Sequence, residues 1–162
     1  MSHSNRRDVL IAFPLLAGAM SAASLSDAQT ASTNAAPVAG GGTLGSARAI
    51  PFDSIRTTAT TNGGERRVMM HGTLATGERI ELHQSMQTPG TAAPAFHVVK
   101  HSELILICEG TLNYRHEVDG KIVEETAGPG GVFYVAYGTN HSVSNIGTTP
   151  ARYFVVQMGG DA

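Results

Sequence analysis

Four residues with metal-binding side chains stand out near the middle of the chain. His97, His101 and Glu103 occupy positions i, i+4 and i+6, and in one extended strand their side chains would all point to the same face. Further along, a glycine-containing turn precedes His141 at the start of another candidate strand. Imidazole and carboxylate groups drawn from two separate segments are typical of a metal site.

A second pair of polar residues lies earlier in the chain. Glu81 and His83 share one face of a candidate strand, opposite Ile80 and Leu82. If that face borders the same pocket, the two side chains are candidate catalytic groups that carry protons. A solvated strand face fits the pattern equally well.

The elements that must position these residues are predicted to be strands. After residue 28, no window of eleven or more residues shows a helical period. Short apolar runs alternate instead with turn signals such as Thr76-Gly77 and Asp119-Gly120, which is typical of a β-sandwich or β-barrel. We predict eight to ten strands, the clearest at 65–74, 79–87, 103–109, 111–118, 121–127, 132–136, 141–145 and 151–158.

The spacing of these residues resembles the two sequence motifs of the cupin superfamily. The first family motif contains a glycine, a His-x-His pair, a glutamate and a second glycine; the corresponding residues here are Gly90, His97, Val99, Glu103 and Gly110. The second contains a glycine, a Pro-x-Gly turn, a histidine and an asparagine; the corresponding residues here are Gly130, Ala136, Gly138, His141 and Asn145. The resemblance extends over about residues 65–159 and implies an all-β fold, a single small β-barrel of the jelly-roll (double-stranded β-helix) type.

The same resemblance implies a metal site with one altered ligand. Family members usually hold one divalent ion with three histidines and a glutamate, but Val99 stands where the second histidine would be. His97, Glu103 and His141 remain, which is the ligand set of facial-triad iron sites. His101 is a candidate replacement if the strand bends. We therefore expect iron, manganese, nickel or zinc at these four residues, with a metal-free pocket as the alternative.

Two functions fit this site. The first is a metal-dependent enzyme, an oxygenase or an isomerase, acting on a small enolic or aromatic molecule. The second is a non-catalytic module that binds a small ligand or a metal. A formal net charge of -2 does not indicate a basic surface that would bind nucleic acid or an anionic membrane. After Glu103, the run 104–108 is apolar on both faces, which together with the family resemblance favours a homodimer.

The N-terminal residues read as an export signal. Arg6 and Arg7 precede an uncharged run at 9–20 that would rise only about 18 Å as a helix, too short for a hydrocarbon core of about 30 Å. The arginine pair resembles a twin-arginine signal, with an ordinary secretory signal as the alternative. We expect a signal peptide at 1–28, a disordered linker at 29–48, the barrel domain at 49–162, and a periplasmic or secreted protein with no membrane insertion after cleavage.

Overall fold

The computed structural model describes residues 42–162, which contain eleven strands and one short 3₁₀ turn at Phe52–Ser54. The strands are β1 Thr43–Leu44, β2 Thr58–Ala59, β3 Glu65–Leu74, β4 Arg79–Gln87, β5 His97–Val98, β6 Ser102–Glu109, β7 Leu112–Val118, β8 Lys121–Ala127, β9 Val132–Val135, β10 Asn140–Asn145 and β11 Ala151–Met158. The all-β prediction is confirmed. Over these residues the strands form two sheets, which is consistent with the predicted jelly roll, and neither sheet closes into a barrel.

The larger sheet has the strand order β1-β3-β4-β11-β6-β9, with β2 paired to β3. Its two longest strands, β3 and β4, are joined by the predicted Thr76-Gly77 turn, where Gly77 has a positive φ of 100°. The smaller sheet has the order β5-β10-β7-β8. Asp119 and Gly120 join β7 to β8 with φ values of 51° and 73°, the paired positive values that a type I′ hairpin requires.

The segment around His97 is bent, so the prediction of one extended strand from His97 to Glu103 is wrong. His97 lies in β5 of the smaller sheet, whereas Glu103 lies in β6 of the larger sheet. Turns hold the intervening backbone: the Val99 carbonyl accepts a hydrogen bond from Gly138 N at 2.9 Å, and the Lys100 carbonyl accepts one from Asp161 N at 3.2 Å. Tertiary contacts of this kind, which strand propensity does not encode, turn the chain from one sheet into the other.

A glycine brings the C-terminal turn onto this bend. Gly160 has a positive φ of 55°, and a Cβ atom at this position would stand 1.6 Å from the Lys100 carbonyl oxygen. Such a distance lies far inside van der Waals contact, so the backbone approach requires glycine. The approach places Asp161 beside His101.

The two sheets share one hydrophobic core. Its buried residues come from strands of both sheets and from the bend between them: Val99, Ile105, Ile107, Leu112, Tyr114, Phe133, Val135, Val143, Ala151, Tyr153 and Val155. Val99, at the altered motif position, is therefore a core residue. The outer face of β6 differs from its inner face, because Leu106 is 38% exposed and Cys108 is exposed. The prediction that both faces of this strand are covered is not met within a single copy of the described chain.

Gln87 links the two sheets where the edge of β10 opposite β7 has no neighbouring strand. β5 pairs with β10 only at Asn140 and His141. Beyond that point the buried Gln87 side chain, which projects from β4, replaces the missing strand. Its Nε2 donates to the Val143 carbonyl at 3.1 Å, and its Oε1 accepts from Asn145 N at 2.8 Å. These bonds satisfy backbone groups that an open sheet edge would leave unpaired.

Several predictions about domain limits fall at or beyond the start of this region. The export signal at 1–28 and most of the linker at 29–48 lie outside the described residues. Within the linker range, Thr43 and Leu44 form β1 and pair in parallel with Thr73 and Leu74 of β3. Among residues 42–162, no helix is long and apolar enough to cross a membrane.

Candidate functional site

Glu103 lies at the start of β6 and is 6% exposed. One carboxylate oxygen, Oε1, accepts hydrogen bonds from His101 Nε2 at 2.8 Å and from Gln157 Nε2 at 3.0 Å. Gln157 is the partner of Glu103 in the β11–β6 ladder. The other oxygen, Oε2, lies 3.6 Å from His141 Nε2. A buried carboxylate is costly unless donors meet it, and here two donors bind one oxygen while the second oxygen faces His141.

His101 lies at the bend between two carboxylates. Its Nε2 contacts Glu103, and its Nδ1 lies 2.7 Å from Asp161 Oδ1. Burial acts to lower the pKa of His101, but the hydrogen bonds to Asp161 and Glu103 and the two negative charges outweigh it, so the pKa lies above its usual value. The two carboxylate oxygens thus engage both ring nitrogens of His101 and favour its protonated form. The predicted replacement ligand has, in this structure, no free ring nitrogen.

His141 and His97 form the other side of the cluster. They are register partners on β10 and β5, with ring centroids 4.6 Å apart. His141 is 2% exposed; burial, followed by the neighbouring His97, holds its pKa below the usual value. The lowered pKa favours the neutral ring, which is the form in which a histidine binds a metal. His97 is exposed and lines the same cavity as His141.

The cluster fits a divalent ion in the chemistry of its donors and in the spacing of one pair. Two ligands that each lie about 2.1 Å from an ion at a tetrahedral angle are about 3.4 Å apart, and His141 Nε2 lies 3.6 Å from Glu103 Oε2. Within residues 42–162, no three His, Cys, Asp or Glu side chains already surround a common ion position. Binding therefore requires a third side chain to turn toward this pair. His97 is suited to that movement because it is exposed, whereas both nitrogens of His101 are engaged.

Glu81 and His83 form a second cluster with Arg66 of β3. His83 Nδ1 lies 2.8 Å from Glu81 Oε1, and Arg66 Nη2 contacts the same oxygen. The hydrogen bond from His83 is the largest influence on Glu81; with the Arg66 charge it outweighs burial and lowers the pKa of this carboxyl. The neutral His83 tautomer that donates from Nδ1 to the ionised Glu81 has Nε2 as its acceptor. His83 is buried, which removes the alternative of a solvated strand face for this residue.

Both clusters meet at one cavity of about 320 Å³, within the range of small-molecule sites. Its walls combine the side chains of both clusters with apolar and polar neighbours: Arg66, His83, Ser85, Gln87, Pro94, His97, Glu103, Ile105, His141, Val143, Tyr153, Val155 and Gln157. The structure thus brings His83, His97, Glu103 and His141 to one cavity. Glu81 and His101 stand behind it as hydrogen-bond partners of its lining residues.

Three residues at the site were missed by sequence reasoning. Gln157 is identifiable only from the register of β11 against β6, and Asp161 only from the fold of the C-terminal turn. Arg66 belongs to a strand that the sequence predicted correctly, but nothing in its spacing connects it with the histidines. No local sequence signal marks any of the three.

Comparison with known proteins agrees with this architecture. A family model described as a cupin domain matches residues 82–157. This segment resembles a cupin domain. The cupin-like segment contains His83, His97, His101, Glu103 and His141, whereas Arg66, Glu81 and Asp161 lie outside it. No curated protein matches the chain.

Solved structures show the same fold at low sequence identity. A deletion mutant of Bacillus subtilis oxalate decarboxylase OxdC is 20% identical, with a TM-score of 0.57 over 68% of this chain and 29% of its own. The capsular polysaccharide assembling protein CapF from Staphylococcus aureus is 14% identical, with a TM-score of 0.54 over 65% and 30%. Drosophila melanogaster CENP-C bound to CAL1 is 15% identical, with a TM-score of 0.57 over 67% and 84%. The chain spans less than a third of the oxalate decarboxylase and CapF chains, and the likeness concerns the fold.

Proposed function

We propose that this protein is a metal-binding cupin whose cavity holds one divalent ion and acts on a small enolic or aromatic molecule. The observation that carries this proposal is the pair formed by Glu103 Oε2 and His141 Nε2, 3.6 Å apart at the cavity wall. His97 is the third proposed ligand. One of the structurally similar proteins, Bacillus subtilis oxalate decarboxylase, has Mn(II) centers and shares the fold at 22% identity, which supports manganese as the first ion to test.

The residues around Glu103 would keep it ready for an ion. His101 and Gln157 bind Oε1, so the carboxylate plane is fixed and Oε2 stays directed toward His141. Asp161 holds His101 from its other side, an arrangement like the outer hydrogen bonds that orient metal ligands in other proteins. In this proposal His101 orients the carboxylate rather than binding the ion.

The second cluster would move a proton. A divalent ion, when bound, acts as a Lewis acid on a substrate oxygen. His83 takes a proton at Nε2, and Glu81 keeps the proton on Nδ1 and stabilises the imidazolium that forms. Ile105, Val143 and Val155 supply apolar walls that limit water around the reacting atoms. Proton transfer at an activated carbon suits an isomerase, whereas an iron-loaded site would suit an oxygenase.

A non-catalytic binding module is the second candidate. The observation that favours it is Val99, which is buried in the core and leaves the motif one ligand short. A cavity without turnover would still bind a small ligand through its apolar walls and polar groups.

The decisive experiment compares Glu103→Gln with the control Glu125→Gln. Glu125 is an exposed carboxylate on β8, so its replacement leaves the cavity unchanged. The full chain is folded in the cytoplasm with manganese or iron supplied, its metal content is measured by elemental analysis, and turnover is measured with a catechol and an enolic acid. We expect about one equivalent of metal in the wild type and the control, and about a tenth or less in Glu103→Gln.

Each result assigns the protein to one class. Wild-type protein with less than about a tenth of an equivalent contradicts the metal site. Metal binding without turnover of either substrate favours the binding module. Oxygen consumption by the iron-loaded protein favours the oxygenase, whereas substrate conversion without oxygen uptake favours the isomerase.

We further propose that the protein is exported through the twin-arginine route and forms a homodimer. The arginine pair and the apolar run at 9–20 support export. The exposed apolar residues Leu106, Val132 and Tyr134, on the paired strands β6 and β9, support a second copy as the partner. A mass equal to one chain by light scattering contradicts the dimer. A chain that stays in the cytoplasm at full length contradicts export.

A further inference from the structure

Arg66 adds a positive charge to a cavity that otherwise holds imidazole, carboxylate and neutral groups. It is the only Arg or Lys among the described residues that line the cavity. Its side chain is 42% exposed, so the guanidinium stays hydrated and accessible. Neither the cupin motifs nor the segment 82–157 includes this position.

The guanidinium has donors to spare. Arg66 uses Nη2 for its ion pair with Glu81 Oε1; the same nitrogen lies 3.4 Å from His83 Nδ1, which itself pairs with that oxygen. Within residues 42–162, no hydrogen bond is made by its Nε or Nη1. These atoms carry three of the five N–H groups of an arginine, and each can donate a charge-assisted hydrogen bond to a carboxylate oxygen.

The other residues of the cavity restrict the charge and the polarity of such a ligand. Glu103 also lines the cavity, from β6, which is three strands away from β3 in the larger sheet; that is about 14 Å between the strand backbones. In the metal-free protein, a second anionic group on the ligand would be repelled by this carboxylate. The walls offered by Ile105, Val143 and Val155 are apolar. A ligand with a single negative charge at one end and a mostly apolar body matches this arrangement of charged and apolar groups in the cavity wall.

We propose that Arg66 binds the carboxylate of a small monocarboxylate ligand whose apolar body lies against Ile105, Val143 and Val155. This inference rests on the proposed small-molecule function of the cavity and names its substrate class. Arg66 and His83 contact the same oxygen of Glu81, so the ligand atoms next to the bound carboxylate lie close to His83. The proposed proton acceptor thus faces the carbon or hydroxyl adjacent to the carboxylate.

The test uses benzoate and benzamide as probes, because the two share a ring and differ in charge. Dissociation constants are measured by titration of the metal-free full chain, followed by two-dimensional NMR. We expect benzoate to bind about ten- to a hundredfold more tightly than benzamide, the usual range for charge-assisted hydrogen bonds. Arg66→Gln removes this preference, Arg66→Lys keeps part of it, and the control Arg152→Gln, on β11 beside Glu109, keeps all of it.

Three results overturn the proposal: equal affinity for the two probes in the wild type, no measurable binding of either, or a full benzoate preference in Arg66→Gln. If Arg66→Gln does not give a folded spectrum, the Arg66→Lys comparison and the wild-type preference decide. The same titration is repeated after manganese is supplied and the metal content measured. A benzoate preference in protein that takes up no metal overturns the metal site alone, which separates the failure of one proposal from that of the other.

Discussion

Replacing the buried Gln87 by leucine should destabilise the protein strongly, because its side chain takes the place of a strand at the edge of β10. The change removes the donor to the Val143 carbonyl and the acceptor for Asn145 N. It also removes the donor to Tyr153 Oη at 2.9 Å, a hydroxyl that can rotate toward another partner. Leaving a buried polar group unpaired costs about 1–3 kcal/mol. Two backbone groups therefore give an expected loss of about 2–6 kcal/mol, a large part of a typical stability of about 5–15 kcal/mol.

Urea unfolding followed by circular dichroism measures this loss, and Gln84→Leu is the matched control. Gln84 lies on the same strand, is only partly buried, and its side chain makes no hydrogen bond within residues 42–162. Its replacement should change the free energy of unfolding by about 0.5 kcal/mol or less. Hydrogen exchange adds a local readout, since the Asn145 amide should lose protection in Gln87→Leu. A loss below about 1 kcal/mol, or an Asn145 amide that stays protected, refutes the proposed role.

Two further predictions concern the histidines of the metal-free protein. Asp161→Asn should lower the pKa of His101 and weaken metal binding about ten- to a hundredfold, because His101 loses one of its two carboxylate partners. NMR titration of the metal-free protein measures the pKa, and metal titration measures the affinity. An unchanged His101 pKa contradicts the prediction. His141 has a lowered pKa, so its contribution to stability should be present above about pH 6.5 and be lost as the pH falls toward its folded-state value. The raised pKa of His101 gives the opposite dependence, with stability present below about pH 6.5 and lost as the pH rises through the folded-state value. NMR should therefore find His101 above and His141 below the ordinary value, and the reverse order would contradict both assignments.

The strands were largely predictable because local chemistry sets their ends. The predicted ranges 65–74, 79–87, 121–127 and 151–158 coincide with β3, β4, β8 and β11. Turns with positive φ at Gly77 and Gly120 close two of the hairpins, and glycine is the residue that permits such turns. The strand boundaries thus follow from residues that lie next to them in the chain.

The site was predictable only in part, since some of its contacts join distant segments. The motif spacing found His97, Glu103 and His141, and Glu81 and His83 were recognised as a pair. The bend that separates His97 from Glu103 depends on hydrogen bonds from Gly138 and Asp161. No periodicity in the sequence contains such bonds, and the same reason explains why Arg66 and Gln157 were not found.

The face of β4 that lines the cavity was also not predictable from the sequence. His83, Ser85 and Gln87 line the cavity, whereas their apolar neighbours Ile80 and Leu82 do not. Alternation assigned His83 to the face opposite Ile80 and Leu82 but did not decide which of the two faces was internal. Hydrophobicity alone would place the apolar face inside, and the polar cavity reverses that expectation.

Gly160 lies away from the cavity, but we expect its substitution to be as damaging as that of a cavity residue. Gly160 is not among the residues that line the cavity, yet any side chain at this position would collide with the Lys100 carbonyl and push the C-terminal turn away. Asp161 would move with it, and His101 would lose a partner. Disabling substitutions should therefore occur in two places, around the cavity and at a single glycine whose only contribution is to have no side chain. A library screened for metal retention should recover glycine at position 160 as strictly as it recovers histidine at position 141.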